Sequence, residues 1–432
     1  MTKGVFAASL LALSTAMIPT LATAQSETLL LQPSIPPDFD RDRNVSVVER
    51  PRPDYDPLGW RAGSFIILPQ VQLGLGYSDN IYLGRGDKVD APYLFATPSV
   101  RATSDWDRHL VQLRGSGTIR RFIGESARNE DVFSLGGTGR YDLSTDMAVT
   151  LEGQFARQFE SPLSGEIETD NSALSHYDTA TVALRGEYRA GQVRAVLAVD
   201  HSVFDFAKIK FPDGTERNQR FRDRDINRVT GQLQYAFTPS TGLYGQLSYG
   251  RTNYDTAFIG GVENRDSNGV RALAGLNVDI AGFLRGIVGV GYLWRNYDSP
   301  LYRDAKGFSA EAKLEYFFSP LTTFTLTGRR VIEDSSLGTV DAYFDNRIGL
   351  RVDHELLQNL ILYGQAEAAF QDYIGTKRKN DIYRFTGGGR YLASRTFGIE
   401  AGLSYGKRKT NTVEFGRNYG EFRMQVALII QR

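Results

Sequence analysis

From Ser64 to the C-terminus, apolar and polar residues trade places at every second position, with the parity held within each segment. Val71, Leu73, Leu75 and Tyr77 alternate with Gln70, Gln72, Gly74 and Gly76. Phe308, Ala310, Ala312, Leu314, Tyr316 and Phe318 alternate with Ser309, Glu311, Lys313 and Glu315. Phe397, Ile399, Ala401, Leu403 and Tyr405 alternate with Gly398, Glu400, Gly402 and Ser404. A period of two is a strand with one apolar and one polar face. These strands run ten to fourteen residues, against ~5–6 in ordinary sheets. That is enough to cross a bilayer, for which a tilted strand needs ~9–11 residues.

The connections between strands fall into two kinds. Eight are tight, as at Ser104–Asp107, Ala190-Gly191, Thr238–Thr241 and Ser319–Leu321. Nine are longer and polar, near 78–90, 124–130, 160–176, 207–224, 252–266, 298–305, 334–339, 373–380 and 408–417. Seventeen connections join eighteen strands. Short periplasmic turns alternating with long outer loops is the sidedness of an outer-membrane barrel, and an even count returns both termini to the periplasm. Aromatics on the apolar parity sit at two levels. Tyr141, Tyr188, Tyr235, Tyr316 and Phe397 lie near the tight turns, and Tyr249, Tyr292, Trp294 and Tyr405 near the long loops. Aromatic rings favour both headgroup levels, so two girdles are expected. The pattern predicts an all-β transmembrane antiparallel up-and-down barrel of about eighteen strands over residues 64–432, with outer-membrane lipid as its surroundings.

The first 63 residues lie outside this pattern. Lys3, the apolar stretch from Val5 to Ile18, and Ala22-Thr23-Ala24 have the layout of a cleaved signal peptide over 1–24. Residues 25–63 carry Pro33, Pro36, Pro37, Pro51, Pro53 and Pro57. Prolines at this density favour extended, unpaired chain, so an irregular periplasmic arm is expected. Mean hydropathy is negative, which in a strand protein does not exclude a membrane. Fifty basic residues balance fifty acidic ones, so no net field recruits nucleic acid. Cysteine is absent, which excludes cysteine-based metal and redox sites and suits passage through an oxidising periplasm.

With the apolar parity facing lipid, the other parity faces the lumen and is rich in charge. It carries Arg140, Glu152, Arg194, Arg228, Arg271, Glu311, Glu315, Arg347, Arg384 and Arg390 as the candidate pore lining, with Asp178 and Asp200 assigned to the same face. Two roles are open for these groups: pairing across neighbouring strands to stiffen the wall, or setting selectivity in a hydrated channel, for which eighteen strands leave room. Catalytic chemistry finds no foothold. Asp200-His201-Ser202 holds triad residue types, but on a strand His201 points away from the other two. The glycine pairs Gly74-Leu75-Gly76 and Gly289-Val290-Gly291 do not open a helix, as a phosphate loop must. No metal-ligand spacing or cofactor motif is present.

Three stretches, ERPRPDYDPLGWRAGSF (Glu49 to Phe65), GYSDNIY (Gly76 to Tyr82) and SDWDRH (Ser104 to His109), resemble the start of the Gram-negative outer-membrane β-barrel porin family of the second type. The resemblance implies an outer-membrane barrel, built by the barrel-assembly machinery. Some members are linked to exopolysaccharide export, which would imply a periplasmic polysaccharide-export protein as partner. The chain ends Ile429-Ile430-Gln431-Arg432, whereas many barrels end on an aromatic residue. The expected function is a passive outer-membrane channel, with polysaccharide export as its most concrete form. The alternatives are a diffusion porin for small hydrophilic solutes, an outer-membrane hydrolase, and a structural or surface-interaction barrel.

Overall fold

The computed structural model describes residues 45–86, 88–160, 175–210, 215–259, 261–280, 282–335, 342–412 and 418–432. The expected signal peptide and residues 25–44 of the arm fall outside them. Eighteen long strands form one closed antiparallel sheet. In chain order they are β1 (Phe65–Ser78), β2 (Ala91–Ser104), β3 (Leu110–Phe122), β4 (Glu130–Asp142), β5 (Met147–Phe159), β6 (His176–Ala190), β7 (Val193–Phe206), β8 (Arg224–Thr238) and β9 (Thr241–Tyr254). The second half is β10 (Ser267–Ile280), β11 (Leu284–Tyr297), β12 (Ala305–Ser319), β13 (Thr322–Asp334), β14 (Ala342–Leu357), β15 (Leu360–Tyr373), β16 (Lys379–Leu392), β17 (Phe397–Thr410) and β18 (Tyr419–Gln431). They run from 13 to 16 residues, slightly longer than the alternation suggested. Each pairs with its neighbours in sequence, and β1 closes the ring on β18 from Gln70–Gln431 to Ser78–Arg423.

Two seams depart from this regularity. At the tight-turn end β1 outruns β18, and its first residues pair instead with a three-residue strand, Trp60–Ala62, with Trp60 opposite Ile67. The last piece of the arm thus satisfies backbone groups that β18 leaves open. At the loop end the β12–β13 ladder stops at Ala310–Arg330. Beyond it β12 stays with β11, Ala305 opposite Arg295, and β13 stays with β14, Asp334 opposite Ala342. The wall splits there.

The two faces are inverted relative to a water-soluble protein. Leu75, Leu135 and Leu233 are 57–59% exposed, and each lies among small or apolar outward neighbours. Lipid is the solvent such a surface requires, and apart from the split between β12 and β13 the closed barrel leaves no backbone edge unpaired in it. The girdle residues Tyr141, Tyr188, Tyr235, Tyr249, Tyr292, Trp294, Tyr316, Phe397 and Tyr405 are all among the exposed large side chains. The repeated glycines have a packing reason on the inner face. A Cβ at Gly74 would lie 2.4 Å from the Phe95 ring, and one at Gly76 2.4 Å from the Tyr93 ring. Glycine lets an aromatic side chain of the next strand lie flat on the wall.

Candidate functional site: the lumen and its two mouths

Contacts that skip strands fix which face is concave. Tyr244 on β9 donates to Glu311 on β12 at 3.2 Å, Arg271 on β10 reaches Ser309 on β12 at 2.9 Å, and Tyr93 on β2 reaches Gln425 on β18 at 3.2 Å. The ten candidate lining residues share that face. Arg140 pairs with Asp142 at 2.8 Å, Arg194 with Glu187 at 2.8 Å, and Glu152 with Arg185 at 3.7 Å. Arg228 meets Asp200 at 3.8 Å, Arg271 meets Glu311 at 3.1 Å, and Arg347 meets Asp345 at 2.6 Å. Arg390 pairs with Glu400 at 2.6 Å, and Glu315 with Arg285 at 2.5 Å. Arg384 stands opposite Glu367 in the β15–β16 register. Arg228 and Arg271 line one cavity of about 80 Å³ with Arg295 and Glu333, while Arg347 stands apart beside Asp345 and Arg329.

Asp178 corrects the assignment made from sequence. On β6 the exposed side chains are Val182, Leu184 and Tyr188, so Asp178 shares the outward parity. There it makes a bidentate pair with Arg157 at 2.7 and 2.8 Å.

In the middle of the lumen, Arg114, Ser116, Gln154, Lys313 and Thr327 point inward and yet are exposed. Toward the loop end the inner face closes up. Tyr177, Tyr254, Tyr297 and Tyr343 are buried there, and guanidinium groups stack on the rings. Arg222 lies 4.1 Å from the centre of Phe206, Arg378 4.2 Å from Tyr373, and Arg120 5.1 Å from Tyr93. Beyond the wall split β13 turns into the lumen and carries Asp334 with it. Asp334 accepts from Arg295 at 2.6 Å, Tyr297 at 2.8 Å and Tyr254 at 3.1 Å. This inward collar of aromatic and arginine side chains was not anticipated. Aromatics on the polar parity, such as Tyr93, Tyr177 and Tyr297, were its only sequence signal.

The tight-turn mouth is built differently. The arm from Ser46 onward runs along the inside of the rim, from β11 and β13 round to β1. Val47 donates its N–H to Thr323 at 3.1 Å and is fully buried. Glu49 pairs with Arg285 at 2.7 Å, and Arg285 also holds Glu315. Glu355 accepts from both Arg50 at 3.1 Å and Arg52 at 2.8 Å. Farther along, Arg395 donates to Pro53 O at 2.9 Å and Gln431 to Tyr55 O at 3.3 Å. Burial pushes the Glu49 carboxyl up, but the hydrogen bond and charge of Arg285 outweigh it and hold it below the usual carboxylate range.

The four histidines stay off the lumen wall. His201 is exposed and bonds Asn227 at 2.8 Å, while Asp200 and Ser202 are buried on the other side of the strand. His354 bonds Thr322 at 2.9 Å, His176 packs on Phe159, and His109 stacks on Tyr141 in a turn. Among the described residues no group of His, Asp and Glu is placed to hold a metal ion.

Residues 52–432 match the family described as "Putative beta-barrel porin 2". The chain belongs to that family. As a β-barrel porin 2 member it is an outer-membrane, porin-like barrel. In shape it is similar to Acinetobacter baumannii OccAB4, with 12% identity, 89% of this chain and 100% of that one covered, and a TM-score of 0.45. It is also similar to the Pseudomonas aeruginosa outer membrane protein opdK, at 10% identity, 85% and 98% coverage and 0.43. A third is the siderophore receptor PirA from Pseudomonas aeruginosa, at 8% identity, 85% and 80% coverage and 0.42. Likeness at these values carries no argument about cargo. No curated protein matches the chain.

Proposed function

We propose that this barrel is a passive channel for small hydrophilic solutes, with the long loops outside the cell and the arm at the periplasmic mouth. The observation that carries the reading is the set of inward yet exposed polar side chains at mid-lumen, Arg114, Ser116, Gln154, Lys313 and Thr327. Charged and hydroxyl groups exposed inside a lipid-coated wall require water. Most lumen charges are paired, so the channel discriminates weakly between small cations and anions. Export of an extracellular polysaccharide, the cargo implied for some family members, has no geometric observation behind it. The collar and the arm narrow both ends, which favours small solutes.

Liposomes containing the purified chain test this. Small neutral sugars and amino acids should enter at rates that fall steeply with solute size. Impermeable liposomes would refute the channel. Loss of secreted polysaccharide in a deletion strain, with small-solute uptake unchanged, would replace the small-solute reading by the export one.

A further inference from the structure

Four strand arginines point outward, toward the membrane: Arg121, Arg157, Arg251 and Arg330. All four lie toward the loop end. Three are neutralised by a neighbouring carboxylate. Arg121 meets Asp131 at 2.8 Å, Arg157 meets Asp178 at 2.7 Å, and Arg251 meets Asp298 at 2.6 Å. Arg330 has no carboxylate partner among the described residues. Its guanidinium lies 4.4 Å from the centre of the Phe344 ring, donates from Nε to Phe308 O at 3.1 Å, and donates from Nη1 to Asn346. Its Nη2 donates to no described residue. Lys306, two residues before Phe308 on the same face, is exposed and likewise has no described partner.

The wall split explains why the charge sits there. β12 loses β13 beyond Ala310, so Phe308 O has no ladder donor on that side, and Arg330 supplies one. Phe344 fills the gap against Gly307, where a Cβ would lie 2.9 Å from its ring. The guanidinium is therefore held in place by three contacts, with its outer edge donating to no described residue. Around it are exposed Phe308, Trp294 and Phe370, which are side chains that lipid covers. A cation fixed at Phe308 O, with Lys306 two residues farther along β12, ~6.8 Å along a strand, and no carboxylate between them among the described residues, suits a phosphate group.

We infer that Arg330 and Lys306 form an outward-facing site for the phosphorylated headgroup of a lipid in the leaflet at the loop end. Asn346 and Phe344 position the guanidinium, and the neighbouring aromatic side chains carry the acyl chains. With the loops outside, as proposed above, that leaflet is the one whose glycolipid carries phosphates. The in vitro test does not depend on that orientation.

The experiment is native mass spectrometry of the full chain, in detergent, with diphosphorylated lipid A as probe and dephosphorylated lipid A as control. Wild type should retain the phosphorylated lipid and release the control. The Arg330→Gln/Lys306→Gln double variant should retain it about tenfold less, and Arg330→Lys should recover part of the loss. Arg157→Gln, at the same level but already neutralised, should change little. If the double variant does not fold, wild type alone decides through its preference for the phosphorylated lipid. Equal retention of both lipids, or full retention by a folded double variant, would overturn the site. Displacement by millimolar inorganic phosphate as readily as by lipid would overturn the lipid as its occupant.

Discussion

At the loop end, the lumen is narrowed by side chains that belong to the wall. Asp334, Arg295, Tyr297 and Tyr254 come from three strands and are joined by hydrogen bonds of 2.6 to 3.1 Å. At the tight-turn end, the narrowing comes from a segment outside the barrel. Two of its three ion pairs are more open to water, with the Glu49 side chain 33% and Arg50 27% exposed, while Arg52–Glu355 is nearly as buried as the collar. The collar cannot leave without unfolding strands, whereas residues 46–58 of the arm, which precede its Trp60–Ala62 strand, can leave a barrel whose ladder stays intact. If the barrel is the channel proposed above, one mouth is a fixed filter and the other a latch. Stability and permeability should respond separately to changes at the two ends.

Asp334→Asn should have the largest effect. It leaves the Arg295 guanidinium, 5% exposed, beside a neutral amide, and breaking a buried pair costs about 3–5 kcal/mol. The folded band in heat-modifiable electrophoresis should vanish at a clearly lower temperature. An unchanged transition would mean that the collar is not part of the barrel's stability. Glu355→Gln comes next, because it releases Arg50 and Arg52 together, at about 1.5–3 kcal/mol for hydrogen bonds to charged groups. Here the barrel transition should stay put while trypsin begins to cut at those arginines. Cleavage no faster than in wild type would show that other contacts hold the arm.

Glu49→Gln should act in the same direction but more weakly, about 1 kcal/mol or less, since Glu49 is partly hydrated and Arg285 keeps Glu315. Proteolysis of the arm in this variant, compared with Glu355→Gln, ranks the two tethers, and a larger effect would reverse their order. The smallest effect is one of pH. The carboxyl of Glu49 sits below its ordinary value when the arm is docked. Its contribution is therefore present above the free-chain pKa and is lost as pH falls through the docked one. Arm cleavage by an acid-stable protease should be flat from pH 7 to 5 and rise only in more acidic solution. A rise between pH 8 and 6 would point to a different group.

Period two along the sequence was sufficient to place the strands, because a half-buried strand imprints its faces residue by residue. Phe397 to Tyr405 is an instance in which exposure follows parity throughout. Register is a local property, and the eight tight turns carry it from one strand to the next. What lay outside that logic was non-local or locally irregular. Glu49 and Arg285 are 236 residues apart, and no periodicity couples them. The collar tyrosines fall on the polar parity, where Tyr93 and Tyr297 look like lapses in alternation rather than the inner ends of strands. The split between β12 and β13 leaves no trace in composition, although Gly307 beside Phe308 is compatible with it. Asp178 shows the opposite hazard, since a charged residue on the outward parity is tolerated among the loop-end aromatics once it has found an arginine, here Arg157 over the Phe133 ring.

The account turns on whether the arm closes the tight-turn mouth, and single-channel recording in planar bilayers tests that directly. The chain lacking residues 45–58 should conduct severalfold more than the intact chain and lose its brief closures, with ion selectivity little changed. Equal conductance for the two proteins would contradict the latch and leave the collar as the only constriction.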